Sequence, residues 1–167
     1  GMSGGGESSL PHFKLALNAV LDHLGPVHAI VGHSVGAAVT AMIMAQRPAI
    51  GRAVLIAPPA SLADSSRRIA AALHWPEALR TAVQRRIERR FGLNWSSFEA
   101  ERASGDQPLL VIHDRQDREV PFGEGRRHLN NWPRARMLET CGLGHRRVLD
   151  DPTVIQATAD FIAGDRP

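Results

Sequence analysis

Apolar positions recur along the chain with two different periods, and their alternation predicts the architecture. Leu10, Phe13, Leu17, Val20, Leu21 and Leu24 fall at helical spacing. Ser8 and Ser9 offer an N-cap, Pro11 sits in the first turn, and Gly25-Pro26 ends the helix. Val27 to Val31 is then a short apolar run without alternation, as a parallel strand covered on both faces requires. Val35 to Gln46 is small and apolar all round, which predicts a buried helix. Arg52 to Ala57 and Leu109 to His113 read as two more buried strands, and Ala135 to Glu139 as a weaker fourth. Helices are expected over Phe122 to Trp132 and from Asp151-Pro152 onward, where Val154, Ile155, Phe161 and Ile162 share one side.

Strands alternating with helices make this an α/β chain: a parallel sheet with helices on both faces, in one domain over residues 1–167. Residues from about 58 to 107 break the alternation as a helical insertion. Its pieces, Ser65 to Leu73 and Pro76 to Phe91, look like a cap. Leu73, Trp75, Leu79, Val83, Ile87, Phe91, Leu93, Trp95 and Phe98 form an apolar set large enough to roof a pocket.

With 167 residues, 43% hydrophobic and 22% charged, the composition is globular and excludes collagen-like, disordered and disulfide-scaffold chains. The net charge of +3 comes almost wholly from arginine, since Lys14 is the one lysine among 20 basic residues. Arg80, Arg85, Arg86, Arg89 and Arg90 read as a solvated helix face, with an anionic partner as the alternative. Few aromatics and no tyrosine argue against nucleic-acid binding. The longest apolar stretch, Gly36 to Ala45, is too short to cross a bilayer, and no export signal is visible. The single cysteine, Cys141, reads as a small buried hydrophobe. A cytoplasmic protein without membrane contact is therefore expected.

Gly32-His33-Ser34-Val35-Gly36 is a G-x-S-x-G motif placed directly after a strand and before a helix. That setting exposes the serine hydroxyl on a sharp turn, and glycines on either side let strand and helix approach. The Val35 amide, at the helix start, is placed to face an oxyanion. A nucleophilic hydroxyl needs a base, and the base an orienting carboxylate. Loops after the third and fourth strands supply them: His113 to Pro121 carries Asp114, Asp117 and Glu119, and Thr140 to Arg147 carries His145. His33 flanks the serine as a candidate substrate-binding residue or a packing one. His12, His23, His28, His74 and His128 read as surface or capping residues.

Taken together, these motifs make the chain resemble the C-terminal part of an α/β-hydrolase. Gly32 to Gly36 matches that fold's nucleophile elbow, His113 to Pro121 resembles its H-D-x-x-D-x-x-V-P loop, and Gly142 to His145 its G-x-G-H loop. The resemblance implies Ser34 as nucleophile, His145 as general base and acid, Asp117 as the carboxylate that sets the histidine tautomer, and Val35 as an oxyanion donor. In the family pattern the first aspartate, here Asp114, is structural. Met2-Ser3-Gly4-Gly5 resembles the end of a turn that follows the fold's fourth strand, so the fold is expected to be incomplete, lacking its first strands and a second oxyanion amide. The strand before Ser34 would then have a bare edge suited to self-association as a homodimer.

The expected function is hydrolysis of a small-molecule carboxylic ester or thioester through an acyl-enzyme, with no cofactor and no metal. Two alternatives stand beside it: a catalytically weak or inactive fragment whose sheet edge mediates assembly, and an acyltransferase using the same residues.

Overall fold

The computed structural model describes residues 9–164 of the chain. Four strands, β1 (Ala29–His33), β2 (Arg52–Ile56), β3 (Leu109–Asp114) and β4 (Ala135–Thr140), form one parallel sheet in the order β1-β2-β3-β4. Around it lie α1 (Leu10–Leu24), α2 (Val35–Met44), α3 (Leu62–Ala72), α4 (Glu77–Phe91), α5 (Phe122–Arg127), the single turn α6 (Gly144–Arg147) and α7 (Pro152–Ala163).

The central strands are apolar from Ala53 to Ile56 and from Leu109 to Ile112 because both faces are covered there. Ala53, Leu55, Leu109 and Val111 pack with α1 and α2, whereas Val54, Ile56, Leu110 and Ile112 pack on the other face with Val148 and Val154. Each such branched residue withdrawn from water contributes about 1.5–3 kcal/mol. Helix α2 is buried along Ala37 to Met44, as its uniform apolarity requires. At the C-terminus of the fold, Asp151 caps α7 by accepting the Thr153 and Val154 amides at 2.9 and 3.1 Å.

Some details differ from the pattern read along the chain. Strand β1 starts two residues later than the apolar run and continues through Gly32-His33, because pairing with β2 runs to His33↔Ile56 and the Ser34 amide still donates to the Ile56 carbonyl at 2.9 Å. The expected helix from Phe122 to Trp132 is α for six residues, then tightens into a 3₁₀ turn over His128–Asn131. Ser9 caps α1 by backbone position only, its hydroxyl bonding the His12 ring at 2.9 Å. Ser8 and Met2 to Gly5, on which the N-cap alternative and the turn resemblance fell, lie outside the described residues.

The segment between β2 and β3 folds as α3, α4 and two 3₁₀ turns, Trp95–Phe98 and Ala100–Arg102. Its root is tied to α5 by the buried Glu124 carboxylate, which accepts the Ala60 and Ser61 amides at 2.7 and 3.2 Å and pairs with Arg68 of α3. Arg85, Arg86, Arg89 and Arg90 are exposed along α4. Arg80 turns inward and forks onto Glu77.

Candidate active site

Ser34 sits where β1 meets α2, with φ 53° and ψ −126°, a backbone state that costs an L-residue roughly 1–3 kcal/mol. Backbone bonds hold it there: its amide reaches Ile56 O, and its carbonyl accepts from Ala37 and Ala38 at 2.9 and 3.2 Å. A Cβ at Gly32 would fall 2.7 Å from Ala37 Cα, so helix and strand meet there only because the side chain is absent. Gly36 differs from the reading above, since a Cβ there would meet nothing within 4 Å among the described residues. Val35 is the first residue of α2, and the opening N–H groups of a helix lack intrahelical acceptors.

The loops after β3 and β4 bring two more groups to this turn. His145 Nε2 stands 3.0 Å from Ser34 Oγ, and His145 Nδ1 stands 2.7 Å from Asp117 Oδ2. An ionised carboxylate can only accept, so Nδ1 carries the proton and Nε2 is free to accept one from the serine. Asp117 Oδ1 accepts the Glu119 and Val120 amides, both at 2.8 Å, and its side chain is wholly enclosed. Those two N–H groups occupy the carboxylate oxygen that His145 does not use.

Asp114 serves a different purpose. It accepts from the Gln116 amide at 2.9 Å, the Thr140 hydroxyl at 2.8 Å and the Leu143 amide at 3.0 Å, which pins the His145 loop to the end of β3. Burial alone would raise its pKa, but these donors hold it below the ordinary carboxylate value. Glu119 is exposed and pairs with Arg146 at 3.2 Å.

His33 is turned toward His145. Its Nε2–H donates to the His145 carbonyl at 2.9 Å, and the two rings lie 4.7 Å apart. Burial lowers its pKa, opposed by that carbonyl bond. His33 is not among the residues that line the neighbouring cavity. Two other readings are corrected. Cys141 is exposed, because the chain has left β4 and enters the turn at Gly142, φ 88°. His128 is 1% exposed, under the Pro59 carbonyl that its Nε2–H reaches at 3.3 Å.

A cavity of about 290 Å³ opens beside the turn, bounded by Val35 and Ala38 on α2 and roofed by α3, α4 and the turn after them. Its walls are apolar, with Leu62, Ile69, Trp75, Val83, Trp95 and Phe98 prominent, and Arg80 is the one charged residue in them. Behind the histidine lies a polar cleft lined by Gln116, Arg118, Glu119, Gly142 and Arg147. Among the described residues, no group of three or more His, Cys, Asp and Glu is arranged to hold a metal ion. No helix among them is long and apolar enough to cross a membrane.

No protein-family model and no curated protein matches the sequence. Solved structures do match. The mouse alpha/beta hydrolase domain-containing protein 10 superposes over 98% of this chain and 72% of its own, with TM-score 0.68 at 17% identity. An esterase of Pyrococcus furiosus gives 0.67 at 20% identity over 98% and 66%. The meta-cleavage product hydrolase of Pseudomonas fluorescens gives 0.64 at 15% over 99% and 75%. The chain has the α/β-hydrolase fold. Within this α/β-hydrolase sheet, the turn at Ser34 and the loops bearing Asp117 and His145 all follow carboxyl ends of parallel strands, where open α/β sheets place ligands.

The residues missed from sequence are His113 and Glu124. His113 stands inside the H-D-x-x-D-x-x-V-P segment, yet nothing local says that its ring is wholly buried against the Asp117 turn. Gly125 was the available hint: a Cβ there would fall 2.3 Å from His113 Nδ1.

Proposed function

We propose that this chain is a serine hydrolase of carboxylic esters or thioesters, and the observation that carries the reading is the Ser34–His145–Asp117 hydrogen-bonded chain on a strained turn. Ser34 Oγ attacks the carbonyl carbon while its proton passes to His145 Nε2. The carbonyl oxygen becomes an oxyanion that the Val35 amide stabilises. Collapse expels the alkoxide or thiolate, which takes the proton from His145, and leaves the acyl group on Ser34. Water then repeats the sequence: His145 accepts its proton, the hydroxide oxygen attacks, and the proton returns to Ser34 Oγ as the acid departs. Asp117 holds the Nδ1–H tautomer and stabilises the transient imidazolium.

The segment from 58 to 107 is the cap in this reading. The apolar cavity beneath it receives the acyl or alcohol part of the substrate, and the favoured compounds have an uncharged, apolar group of moderate size on one side of the ester.

A fluorophosphonate probe tests the chemistry directly. Intact mass should show one adduct per chain, lost in Ser34→Ala and in His145→Ala. A folded wild-type chain that takes up no probe overturns the reading.

A further inference from the structure

A fully buried histidine with no task in the reaction above lies directly behind Asp117. His113 is the fifth residue of β3, and its ring is closed off from solvent. Nε2 stands 3.0 Å from the Val120 carbonyl and 3.4 Å from Asp117 Oδ2. Both oxygens are acceptors, so Nε2 carries the proton. Nδ1 has no partner and faces Gly125, while Phe122 meets the ring nearly edge-on with centroids 5.8 Å apart. This packing leaves the donor one direction, toward Val120 and Asp117.

Val120 is the pivot. Its carbonyl accepts from His113, and its amide donates to Asp117 Oδ1 at 2.8 Å. His113 therefore reaches both carboxylate oxygens: Oδ1 through the backbone of Val120, and Oδ2, the oxygen that receives the His145 proton, by the dipole of its own N–H.

We propose that His113 is a positioning residue that holds the Asp117 carboxylate, shares its charge, and thereby sets the pH at which His145 becomes a base. The consequence for reactivity rests on the serine-hydrolase reading. Burial lowers the pKa of His113, opposed by its bond to Val120, so at neutral pH it acts as a dipole and adds no charge. The titratable groups around this cluster are Asp114 at the end of β3, Asp117 and Glu119 on the β3–α5 loop, Glu124 on α5, His33 on β1, His145 itself and His128 on the turn after α5. Arg118 and Arg147 face the polar cleft beside it.

Removing the N–H leaves more of the negative charge on Oδ2 to stabilise the His145 imidazolium, so the titration midpoint of His145 rises. Two readouts follow this in the whole chain: histidine ring resonances against pH, and the rate of fluorophosphonate labelling of Ser34 against pH. In His113→Leu the His145 midpoint is expected to rise by about half a unit, and labelling on the acid side to fall about threefold, with rates converging at higher pH. His113→Gln, whose side-chain amide places an N–H near the Nε2 position, should restore the wild-type profile. If His113→Leu does not fold, His113→Asn, whose amide stops short of Val120, carries the same expectation.

An unchanged midpoint in a folded variant overturns the proposal, as does a labelling rate lowered equally at every pH, which is the mark of packing damage. A wild-type chain whose His145 titrates but whose Ser34 takes no probe would instead overturn the hydrolase reading, and the resonance titration would still decide the role of His113.

Discussion

Ser34 is held at a positive φ by its surroundings, and the two glycines that flank it do different jobs. Gly32 is where backbone meets backbone: besides Ala37 Cα, the Gly36 carbonyl and Thr40 Oγ1 both lie 2.8 Å from the position of a Cβ. An alanine there must push α2 off β1. Gly32→Ala is expected to lower stability by about 1–3 kcal/mol or more, in the range of overpacked cores. Gly36 has open space and an ordinary φ, so Gly36→Ala should change stability by less than about 1 kcal/mol, in the favourable direction for a helical position. Thermal unfolding of the two variants checks the contrast, and equal losses would show that the turn needs both glycines. A motif states that two small residues stand there; only the packing separates the one that must be glycine from the one that need not be.

Single elements were legible where their pattern was self-contained. Ala53 to Ile56 of β2 and Leu109 to Ile112 of β3 are unbroken apolar runs, and α2 is apolar nearly all round, so burial on both faces could be read directly. What depended on distant partners could not be read from the residues themselves, and only the family resemblance separated Asp117 from Asp114. Asp114 and Asp117 are three residues apart and chemically identical, and they are distinguished by Thr140 and Leu143 on one side and His145 on the other, 26 to 29 residues along the chain. His128 looked like a surface residue because its cover, Pro59, is 69 residues upstream. That buried histidine and Glu124 together anchor the root of the inserted helices. Burial, opposed mainly by the bond to Pro59, takes the pKa of His128 down to about 4. A group whose folded pKa lies below its unfolded value of 6.5 contributes stability at higher pH that is lost as the pH falls from about 6.5 toward 4, because the unfolded chain binds the proton more readily. The loss amounts to roughly 2–3 kcal/mol over that window. Chemical denaturation at a series of pH values should show it, and His128→Gln, which removes the titrating ring, should flatten that part of the profile. An identical slope in the variant would place the acid sensitivity elsewhere.

At the scale of the whole molecule, the sheet ends in β1, which has a neighbour on one side only among the described residues. Val31 is 48% exposed on it, and neither a lysine nor a proline interrupts Ala29 to His33. We propose that this edge pairs with the same strand of a second copy, because an open edge presents backbone donors and acceptors to another strand. Two copies related by a two-fold axis would pair β1 with β1 in antiparallel sense, since an isologous contact places the same strand on both sides. The extended sheet would then count eight strands and cover Val31 in both chains. Light scattering should accordingly report a mass that rises above the monomer with concentration. Val31→Lys, which charges the edge without touching the Ser34 turn, should shift the mass back. A monomer at every concentration would mean that this edge is not an assembly surface. Probe labelling of Ser34 compared across the same concentrations would then separate chemistry from assembly, because Ser34, His145 and Asp117 all belong to one chain and their hydrogen bonds need no second copy.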